Sequence, residues 1–495
     1  MYMDLQSEAN RDQLALNLRS IEKMELVKLL GGWQSVSVKG PLYARLALSI
    51  RSLIVDARIP LGARMPGERP LASALYVSRT TVSAAYELLR DEGLLKSRRG
   101  GGSWTALPHR HVRSGTIWGS SVLSESNWID LVVAAPPGDE RIADALSRAS
   151  ASLPRYLGDH GYHSHGLPVL REKIAQIYTS RGLPTSADQI LITNGALQAI
   201  ALAVRALGSP MDRVVLESPT YPGAIDLFNR NHFRIITVGT EESLTTFTRT
   251  VRQVLPRLIY MIPDFHNPTG KLLDATSRQD MVRAAQSSGS HLLVDESFVE
   301  LSIDNQELPP STASFSRDDT VISIGSMSKA YWGGLRIGWI RAGRDIVARL
   351  VQERIALDMG SPILDQLLSV ELLAQNYDLL ESRRQNLRNQ RDALVSALKR
   401  HHPTWQFKVP SGGLSLWVNI DNRNSTALAT AAEHYQVRLA PGSRFGMPGT
   451  LEGFIRLPYT LPSQVLLEAV ERLAMAATDA RSSRKFTFAM GETVI

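Results

Sequence analysis

The stretch SIGSMSKAYWGGLRIGW, residues 323–339, decides the fold of most of this chain. An apolar, β-branched run ends here in a turn of small residues. Lys329 follows two serines, Ser326 and Ser328, and Arg336 comes seven residues later, past a pair of glycines. A surface loop would explain the glycines but not two cations at this spacing. The stretch therefore predicts a buried strand that ends at one half of a binding site.

Similar apolar runs recur along the chain after about residue 128. Each is short, continuous and β-branched, as expected for strands buried on both faces. The runs are RVVLES (213–218), RLIYMIP (257–263), HLLVDES (291–297) and TVISIGS (320–326). Helical patterns such as GALQAIALAVRALG (195–208) lie between them. This alternation predicts an α/β fold with a mostly parallel sheet, and in such sheets ligands bind at the carboxyl ends of the strands.

Polar and small residues follow these runs where a ligand would lie. They are Gly195, Tyr221, Asn267, Asp295, Ser326 and Lys329. A lysine amine can form an imine with an aldehyde, and a bare helix N-terminus with serines and an arginine can hold a phosphate. A buried carboxylate can hold a protonated ring nitrogen, a tyrosine can stack on a ring, and an asparagine amide can donate to a phenolate. Aldehyde, phosphate, pyridinium and phenolate are the four groups of pyridoxal phosphate.

Each of these residues also has an ordinary explanation. Asp295 at a strand end suits a cap or an ion pair, Tyr221 suits a core position, and the NPTG segment (267–270) suits a plain turn. Lys329 alone would most often be a solvated surface lysine. The cofactor hypothesis depends on all of them occurring together in one order.

The overall composition limits the class of protein. A chain of 495 residues is too long for one compact core, which predicts at least two domains. No apolar run reaches the roughly 18 residues of a membrane span, and no secretory signal is expected at the N-terminus. The absence of cysteine excludes disulfides and thiolate ligands and fits a reducing compartment, so we expect a cytoplasmic protein. The histidines show no metal-ligand spacing, and no metal site is expected.

The positive charge is concentrated in one segment. Residues 36–106 contain 11 Lys/Arg and 5 Asp/Glu, which is a net charge of +6 out of +7 for the whole chain. The other residues hold 44 basic and 43 acidic groups, which nearly cancel. A localised basic field predicts a polyanionic partner for that segment alone.

The pattern of the basic segment indicates which polyanion it binds. Residues 41–57 have apolar side chains at helical spacing, Glu68 to Leu75 reads as a second short helix, and Ser78 is a good N-cap for a third. The basic, glycine-rich KSRRGGGSW (96–104) then suits a two-stranded wing. This order predicts a DNA-binding domain whose last helix enters the major groove. The alternative is a small helical domain with a solvated basic face.

The start of that last helix carries the residues suited to DNA. Arg79, Thr80 and Thr81 can reach phosphates and base edges from there. Further phosphate contacts are expected from Arg69, Lys96, Arg98 and Arg99.

The segment MPGERPLASALYVSRTTVSAAYELLRDEGLLKSRRGGGSW, residues 65–104, closely resembles the winged helix-turn-helix of GntR-type bacterial regulators. The resemblance extends over about 65 residues. It implies DNA contacts at seven matched positions, namely Arg69, Ser78, Arg79, Thr80, Thr81, Arg99 and Gly100. Ser83 stands where some members have an arginine.

Residues 128–480 resemble the fold-type-I aminotransferases, the aspartate aminotransferase family. The resemblance implies that Lys329 in SMSK is the Schiff-base lysine and that Asp295 in VDES binds the pyridine nitrogen. It also implies that Asn267 in HNPTG binds the phenolate oxygen and that Tyr221 in SPTYPG stacks on the ring. The implied phosphate site consists of Ser326, Ser328, Arg336 and the backbone N–H groups of Gly195, Ala196 and Leu197.

Two further roles follow from the same resemblance. Arg456 in FIRLPY matches the clamp for a substrate carboxylate, a bidentate role that suits a guanidinium. Tyr162 lies near the place where the family reaches a phosphate across a dimer interface, although its spacing to Gly166 is one residue shorter than usual. The chain departs from the family at Phe298, where many members have a tyrosine, and at Gly333, where a proline is usual.

The two halves together resemble the MocR subfamily of GntR-type regulators. The expected domains are a helical extension (1–34), a winged helix-turn-helix (35–106), a linker (107–127), an aminotransferase-like domain with a small C-terminal α+β subdomain (128–480) and a tail (481–495).

Three functions remain open at this point. The first is a homodimeric regulator that binds operator DNA and senses pyridoxal phosphate, held as an internal aldimine, or an amino compound that reacts with it. The second is an aminotransferase with an accessory DNA-binding domain. The third is a DNA-binding module on a dimerisation scaffold. Phe298, which lacks a hydroxyl donor, favours the first over the second, and the retained Lys329 disfavours the third.

Overall fold

The computed structural model describes residues 20–31, 33, 41–56, 58–60, 62–91, 93–98, 102–106, 128–240, 244–316, 318, 320–374, 376–421 and 424–489. The predicted DNA contacts Arg99 and Gly100 lie outside the described residues. So do the predicted linker 107–127 and residues 490–495.

The N-terminal domain is a winged helix-turn-helix, as predicted. Its elements are α1 (Lys23–Leu30), α2 (Leu42–Val55), α3 (Glu68–Leu75), α4 (Arg79–Asp91), β1 (Leu95–Arg98) and β2 (Gly102–Thr105). The two strands pair antiparallel as a wing, with Leu95 opposite Thr105. The described helices and the wing therefore have the order that the basic segment predicts.

One apolar core holds this domain together. Leu46, Ile50 and Leu53 recur at helical spacing along α2 and are at most 1% exposed. They pack with the inner face of α4 and with residues of α1, including Trp33 just beyond its end. Burying such a side chain contributes roughly 1.5–3 kcal/mol. The MELVKLLGGW patch (24–33) is therefore part of the winged-domain core.

The start of α4 is capped by Ser78. The backbone N–H of Thr81 donates to Ser78 Oγ at 3.1 Å, which satisfies one of the N–H groups that a helix start leaves unpaired. Tyr86, on the buried face of the same helix, donates its hydroxyl to Pro66 O at 2.9 Å. These bonds position the helix that is expected to enter the major groove.

The turn between α3 and α4 contains a strained, exposed tyrosine. Tyr76 has φ 55° and ψ 42°, a left-handed conformation, and its side chain is 95% exposed. This conformation costs a residue with a Cβ about 1–2 kcal/mol, and no burial offsets the cost here. We expect Tyr76→Gly to raise the free energy of unfolding of this domain by roughly 0.5–1 kcal/mol, because glycine adopts this conformation without the clash. Denaturant unfolding beside Tyr76→Ala would measure it, and an alanine variant as stable as the glycine variant would contradict it.

The large domain is built on a seven-stranded sheet, with strand order β4-β10-β9-β8-β7-β5-β6. The strands are β4 (Ile190–Thr193), β5 (Arg213–Ser218), β6 (Arg234–Gly239), β7 (Leu258–Met261), β8 (His291–Asp295), β9 (Val321–Ser326) and β10 (Gly338–Arg341). Strands β5 to β9 pair in parallel, whereas β10 lies antiparallel between β4 and β9. Every residue of β4, β7 and β9 is buried. The mostly parallel sheet of continuous apolar strands is confirmed.

Helices connect and cover these strands. In chain order they are α5 (Arg141–Ser152), α6 (Pro168–Ser180), α7 (Ala196–Leu207), α8 (Pro222–Arg230), α9 (Leu244–Val254), α10 (Ala275–Ser288), α11 (Arg344–Ile355), α12 (Ile363–Ala374) and α13 (Asn376–His401). Within the described ranges, no helix is long and apolar enough to cross a membrane.

The chain ends in a smaller α+β unit. A four-stranded antiparallel sheet has the order β11-β12-β15-β14, formed by β11 (Gln406–Phe407), β12 (Ser415–Asn419), β14 (Ala440–Pro441) and β15 (Phe454–Pro458). Its helices are α14 (Ser425–His434) and α15 (Ser463–Ala489). A short parallel pair joins this unit to the start of the large domain, through β3 (Ile129–Asp130) and β13 (Val437–Arg438). The C-terminal α+β subdomain is confirmed.

Candidate cofactor and DNA sites

Lys329 lies in the turn after β9, among the other charged residues that the sequence singled out. Its amine donates to the backbone oxygen of Ala134 at 2.9 Å. Burial and the positive charges of Arg456 and Arg336 lower the pKa of Lys329 to about 8, while Asp295 opposes this shift. The structure therefore brings Lys329, Asp295, Arg336 and Arg456 together in one cluster, although they are far apart in sequence.

The lowered pKa predicts how attachment to an aldehyde depends on pH. A pKa near 8 leaves about 10% of the amine neutral at pH 7, against roughly 0.03% for an ordinary lysine. Because only the neutral amine attacks a carbonyl carbon, the attachment rate should rise roughly tenfold for each pH unit below this value and level off above it. Stopped-flow absorbance with pyridoxal phosphate would measure the rate. A rate that still climbs tenfold between pH 9 and pH 10 would contradict the lowered pKa.

Asp295, at the end of β8, is a buried carboxylate held by two donors. It is 4% exposed and accepts hydrogen bonds from Tyr260 Oη at 2.8 Å and from the Ser297 backbone N–H at 2.9 Å. Burial raises its pKa, while the hydrogen bonds from Ser297 and Tyr260 and the nearby Lys329 oppose the rise. A protonated ring nitrogen would supply the further positive charge that favours the ionised form.

The predicted phosphate residues converge at the start of α7. Gly195 is its N-cap with φ 86°, and a Cβ there would lie 2.9 Å from Arg336 Nη2. Arg336 Nη2 itself donates to Asn194 O at 3.0 Å. A Cβ at Gly338 would lie 2.6 Å from the backbone carbon of Gly195, so close backbone packing requires glycine at 338, whereas the positive φ requires it at 195. Ala196 and Leu197 form the first turn, whose N–H groups and dipole favour an anion.

The serines of the SMSK motif complete this cradle. The Ser328 backbone N–H donates to Ser326 Oγ at 3.1 Å. Ser328 Oγ is buried and has no hydrogen-bond partner among the described residues. An unpartnered buried hydroxyl at this position is a group that a phosphate oxygen would satisfy.

Tyr221 comes three residues after β5 and Asn267 six residues after β7, two strands that pair in parallel. Asn267 is 8% exposed, and the oxygen of its amide has no partner among the described residues. Burial and then the negative charge of Asp295 raise the pKa of Tyr221, while Arg336 and Arg456 oppose the rise. Tyr221 is therefore close to Asp295, which would bind the ring nitrogen of the cofactor, and to Arg336, which would bind its phosphate.

Arg456, in β15, is a buried cation directed at the same cluster. Its side chain is 7% exposed, one Nη donates to Val132 O, and Nε has no partner in the part of the chain that is described. Its Cζ lies 5.1 Å from the centre of the Phe445 ring. Burial, followed by the charge of Arg444, lowers the pKa of Arg456 to about 10, so it remains protonated at neutral pH. A carboxylate would complete this site.

Tyr162 is placed apart from this cluster. It lies on the surface, 61% exposed, with its ring stacked on His160. Its predicted role belongs to a second subunit and stays a prediction.

The predicted DNA contacts that are described share one surface. Arg69, Ser78, Arg79 and Thr80 are exposed, and Thr81 is half-buried. Ser78 Oγ bonds both threonine hydroxyls, at 2.7 Å to Thr80 and 2.8 Å to Thr81. Arg79 lies 3.4 Å from Glu68, an exposed pairing that DNA phosphate could replace.

Three residues that position the cluster were not predicted. Tyr260 holds Asp295, but it lies inside the apolar run RLIYMIP and reads as a core residue. Ser297 holds the same carboxylate through its backbone, which no side-chain pattern reveals. Ala134 receives the Lys329 amine through a backbone oxygen and has no chemical signal at all.

Pyridoxal phosphate fits the residues that are present. The Ser328 hydroxyl, which has no partner among the described residues, and the glycine-lined start of α7 suit its phosphate. The amide N–H of Asn267 is the group that would donate to its phenolate. Asp295 would hold the ring nitrogen and Lys329 would meet the aldehyde. A largely parallel sheet with these groups at its carboxyl ends defines a fold-type-I protein, the fold of pyridoxal-phosphate-dependent aminotransferases.

The chain belongs to the aminotransferase class I and II family, whose model matches residues 127–473. A second model, for bacterial regulatory proteins of the gntR family, matches residues 42–104. The two matches in this order confirm the MocR architecture.

Known proteins resemble the chain over most of its length. An uncharacterized HTH-type transcriptional regulator, YisV of Bacillus subtilis, is 28% identical over 79% of this chain and 86% of its own. The HTH-type transcriptional regulator NorG of Staphylococcus aureus is 26% identical over 81% of this chain and 96% of its own. Among solved structures, the α-aminoadipate aminotransferase LysN of Thermus thermophilus, complexed with N-(5'-phosphopyridoxyl)-L-leucine, is 27% identical, with a TM-score of 0.66 over 72% of this chain and 93% of that one.

Proposed function

We propose that this protein is a transcriptional regulator that binds operator DNA through its winged domain and senses pyridoxal phosphate, or an amino compound that reacts with it, through its aminotransferase-like domain. The observation that carries the proposal is that one chain contains both a cofactor-like cluster and a winged helix-turn-helix domain. The Lys329–Asp295–Arg336–Arg456 cluster is complete, and the N-terminal domain keeps an exposed, capped DNA-reading helix.

The residues of the cluster have distinct tasks in this proposal. Pyridoxal phosphate supplies an aldehyde carbon and a ring that accepts electron density when it is bound. Lys329 presents a partly neutral amine at neutral pH, and Asp295 would hold a proton on the ring nitrogen. Arg336 and the start of α7 would hold the phosphate end. Together these residues would keep the reactive carbon within reach of one amine.

Arg456 supports a carboxylate on the effector. Its buried guanidinium has an unpartnered Nε and lies beside the amine that an incoming amino group would replace. A compound with both an amino and a carboxyl group would therefore contact two charged groups of the cluster. Such a ligand changes the affinity for DNA only if it binds two states of the protein unequally.

An aminotransferase with an accessory DNA-binding domain is the second candidate. The complete cluster favours it, because turnover would need the same lysine, aspartate and arginine. Phe298 argues against efficient turnover. It is 6% exposed, three residues after Asp295, and brings no hydroxyl donor to the site. A scaffold without ligand chemistry would not need a buried arginine whose Nε has no partner among the described residues, because such a group costs free energy.

The active form is proposed to be a homodimer, so that two winged domains contact repeated half-sites. The exposed position of Tyr162 supports a role at a partner's phosphate. Light scattering at micromolar concentration tests the dimer, and a monomer would contradict it.

The test of the proposal combines two assays on one sample. DNA upstream of the protein's own coding region is titrated with and without pyridoxal phosphate, and the same preparation is assayed for multiple-turnover transamination of common amino acids. Arg79→Ala serves as a control that should weaken DNA binding by about 1–3 kcal/mol and leave cofactor absorbance unchanged. Specific, cofactor-dependent DNA binding with little turnover supports the regulator, whereas many turnovers without specific binding support the enzyme.

A further inference from the structure

The winged domain contacts the C-terminal subdomain of the same chain through an ion pair. Arg58, between α2 and α3, donates to Glu452 Oε1 and to Thr426 Oγ1, both at 2.8 Å. The side chains of Arg58 and Glu452 are 12% and 26% exposed, so this pair is better shielded from water than a typical surface pair. A second contact lies at Gly31, where a Cβ would come within 2.5 Å of Asn424 Nδ2.

The same surface of the subdomain leads directly to the cofactor cluster. Thr426 Oγ1 lies 3.3 Å from Ser443 Oγ. Ser443 belongs to a short turn, Gly442–Phe445, that follows β14. At the other end of this turn, the Phe445 ring lies 5.1 Å from Arg456 Cζ, and Phe445 O accepts the Thr220 backbone N–H at 2.8 Å. Thr220 directly precedes Tyr221.

The turn Gly442–Phe445 is tightly packed at both ends. A Cβ at Gly442 would lie 2.3 Å from Leu451 O and 2.5 Å from Phe454 O. Phe445 is 2% exposed and packs edge-on against Trp417 at 5.5 Å between ring centres. Close-packed elements of this kind shift as units.

Arg444, in the middle of the turn, interacts electrostatically with charged groups at both sites. Its charge lowers the pKa of Arg456, after the larger effect of burial. The same guanidinium and that of Arg58 oppose the rise that burial imposes on the pKa of Asp56, at the end of α2. The Arg444 guanidinium therefore interacts both with Asp56 of the winged domain and with Arg456 of the proposed carboxylate site.

We infer that the turn Gly442–Phe445 couples the carboxylate site at Arg456 to the docking of the winged domain at Arg58. A ligand carboxylate at Arg456 attracts Arg444 and competes with Asp56 for it, so that docking loosens when the site fills. By reciprocity, a docked winged domain weakens carboxylate binding. This inference rests on the proposed function only where it takes Arg456 as the carboxylate site.

The absence of native cysteine makes docking measurable. Lys28 lies 3.8 Å from the Cβ position of Gly449, and Thr450 beside it is exposed, so Lys28→Cys with Thr450→Cys gives a pair that a short bismaleimide can join. The rate of cross-linking then reports docking without DNA, cofactor or catalysis. Arg58→Glu should lower this rate at least about fivefold, and adding Glu452→Arg should restore part of it.

Coupling is tested at residues outside the docking contact. Arg444→Gln should slow cross-linking, because Asp56 loses a counter-charge, and Arg456→Gln should also slow it, because it removes the positive charge that repels Arg444 toward Asp56. Each change is expected to be about threefold or more. Arg205→Gln, which removes an exposed ion pair with Glu353 far from this turn, is the matched control and should change nothing.

Two outcomes would overturn the inference. If Arg58→Glu slows cross-linking but both Arg444→Gln and Arg456→Gln match the control, docking exists without coupling. If Arg58→Glu has no effect, the ion pair does not hold the domains together. Both outcomes leave the proposed function standing, because that function is judged by DNA binding and turnover.

Discussion

Lys329→Ala should abolish covalent retention of pyridoxal phosphate. The wild-type protein, reduced with borohydride after incubation with the cofactor, is expected to carry the phosphopyridoxyl group on the peptide that contains Lys329, and the variant is expected to carry none. The reason is that burial holds the pKa of Lys329 near 8, beside the groups that would bind the rest of the cofactor. Mass spectrometry of the digested protein measures it.

Lys271→Ala is the matched control. Lys271 lies four residues after Asn267, and its amine donates to Thr240 O at 2.7 Å. This variant should keep full covalent retention and the visible absorbance of the wild type. Retention in Lys329→Ala equal to the wild type, or its loss in Lys271→Ala alone, would show that the lysine has been assigned wrongly.

The second large effect is expected at Asp295. Asp295→Asn should weaken the binding of pyridoxal phosphate by about 2–4 kcal/mol, which is roughly 30- to 1000-fold in Kd. The variant keeps the shape of the side chain but loses the charge that pairs with a protonated ring nitrogen, in a position that is 4% exposed. Equilibrium titration in the Lys329→Ala background isolates this loss from covalent attachment.

Tyr260→Phe separates charge from positioning. It removes the 2.8 Å hydrogen bond to Asp295 and leaves the carboxylate in place. Its expected loss is about 0.5–1.5 kcal/mol, or roughly a few-fold in Kd. An Asp295→Asn variant that binds the cofactor no more weakly than Tyr260→Phe would exclude the ion pair with the ring.

The pattern of apolar runs followed by polar residues was enough to single out Lys329 and Asp295, which the structure brings into one cluster. Strands such as Val321–Ser326 are buried throughout, and the polar residues at or just after their last position fall at the carboxyl edge of the sheet. Ser78 was likewise predictable as a cap, because a short hydroxyl before an apolar helical repeat has few other uses. Both signals are contained within a few neighbouring residues.

Features that depend on distant partners could not be read in the same way. The antiparallel direction of Gly338–Arg341 follows from its pairing with the strands on either side. The four residues of this strand do not themselves indicate its direction. Arg58 reads as one more basic residue of a DNA-binding segment, yet it pairs with Glu452 at a separation of 394 positions. The role of Tyr260 could not be predicted because the residue lies within a buried apolar strand, where a tyrosine is expected to be an ordinary core residue.

The helix Lys23–Leu30 affects which residues must be kept together if the winged domain is transferred to another protein. It contributes Leu26 and Leu30 to the winged-domain core, with Trp33 just beyond it, whereas the gntR family match begins only at residue 42. A gene rearrangement that transferred residues 42–104 alone would separate the DNA-reading helix from part of the core beneath it. The folding unit of the winged domain is therefore larger than the matched range, and we expect a transferred domain to be stable only if it includes this helix.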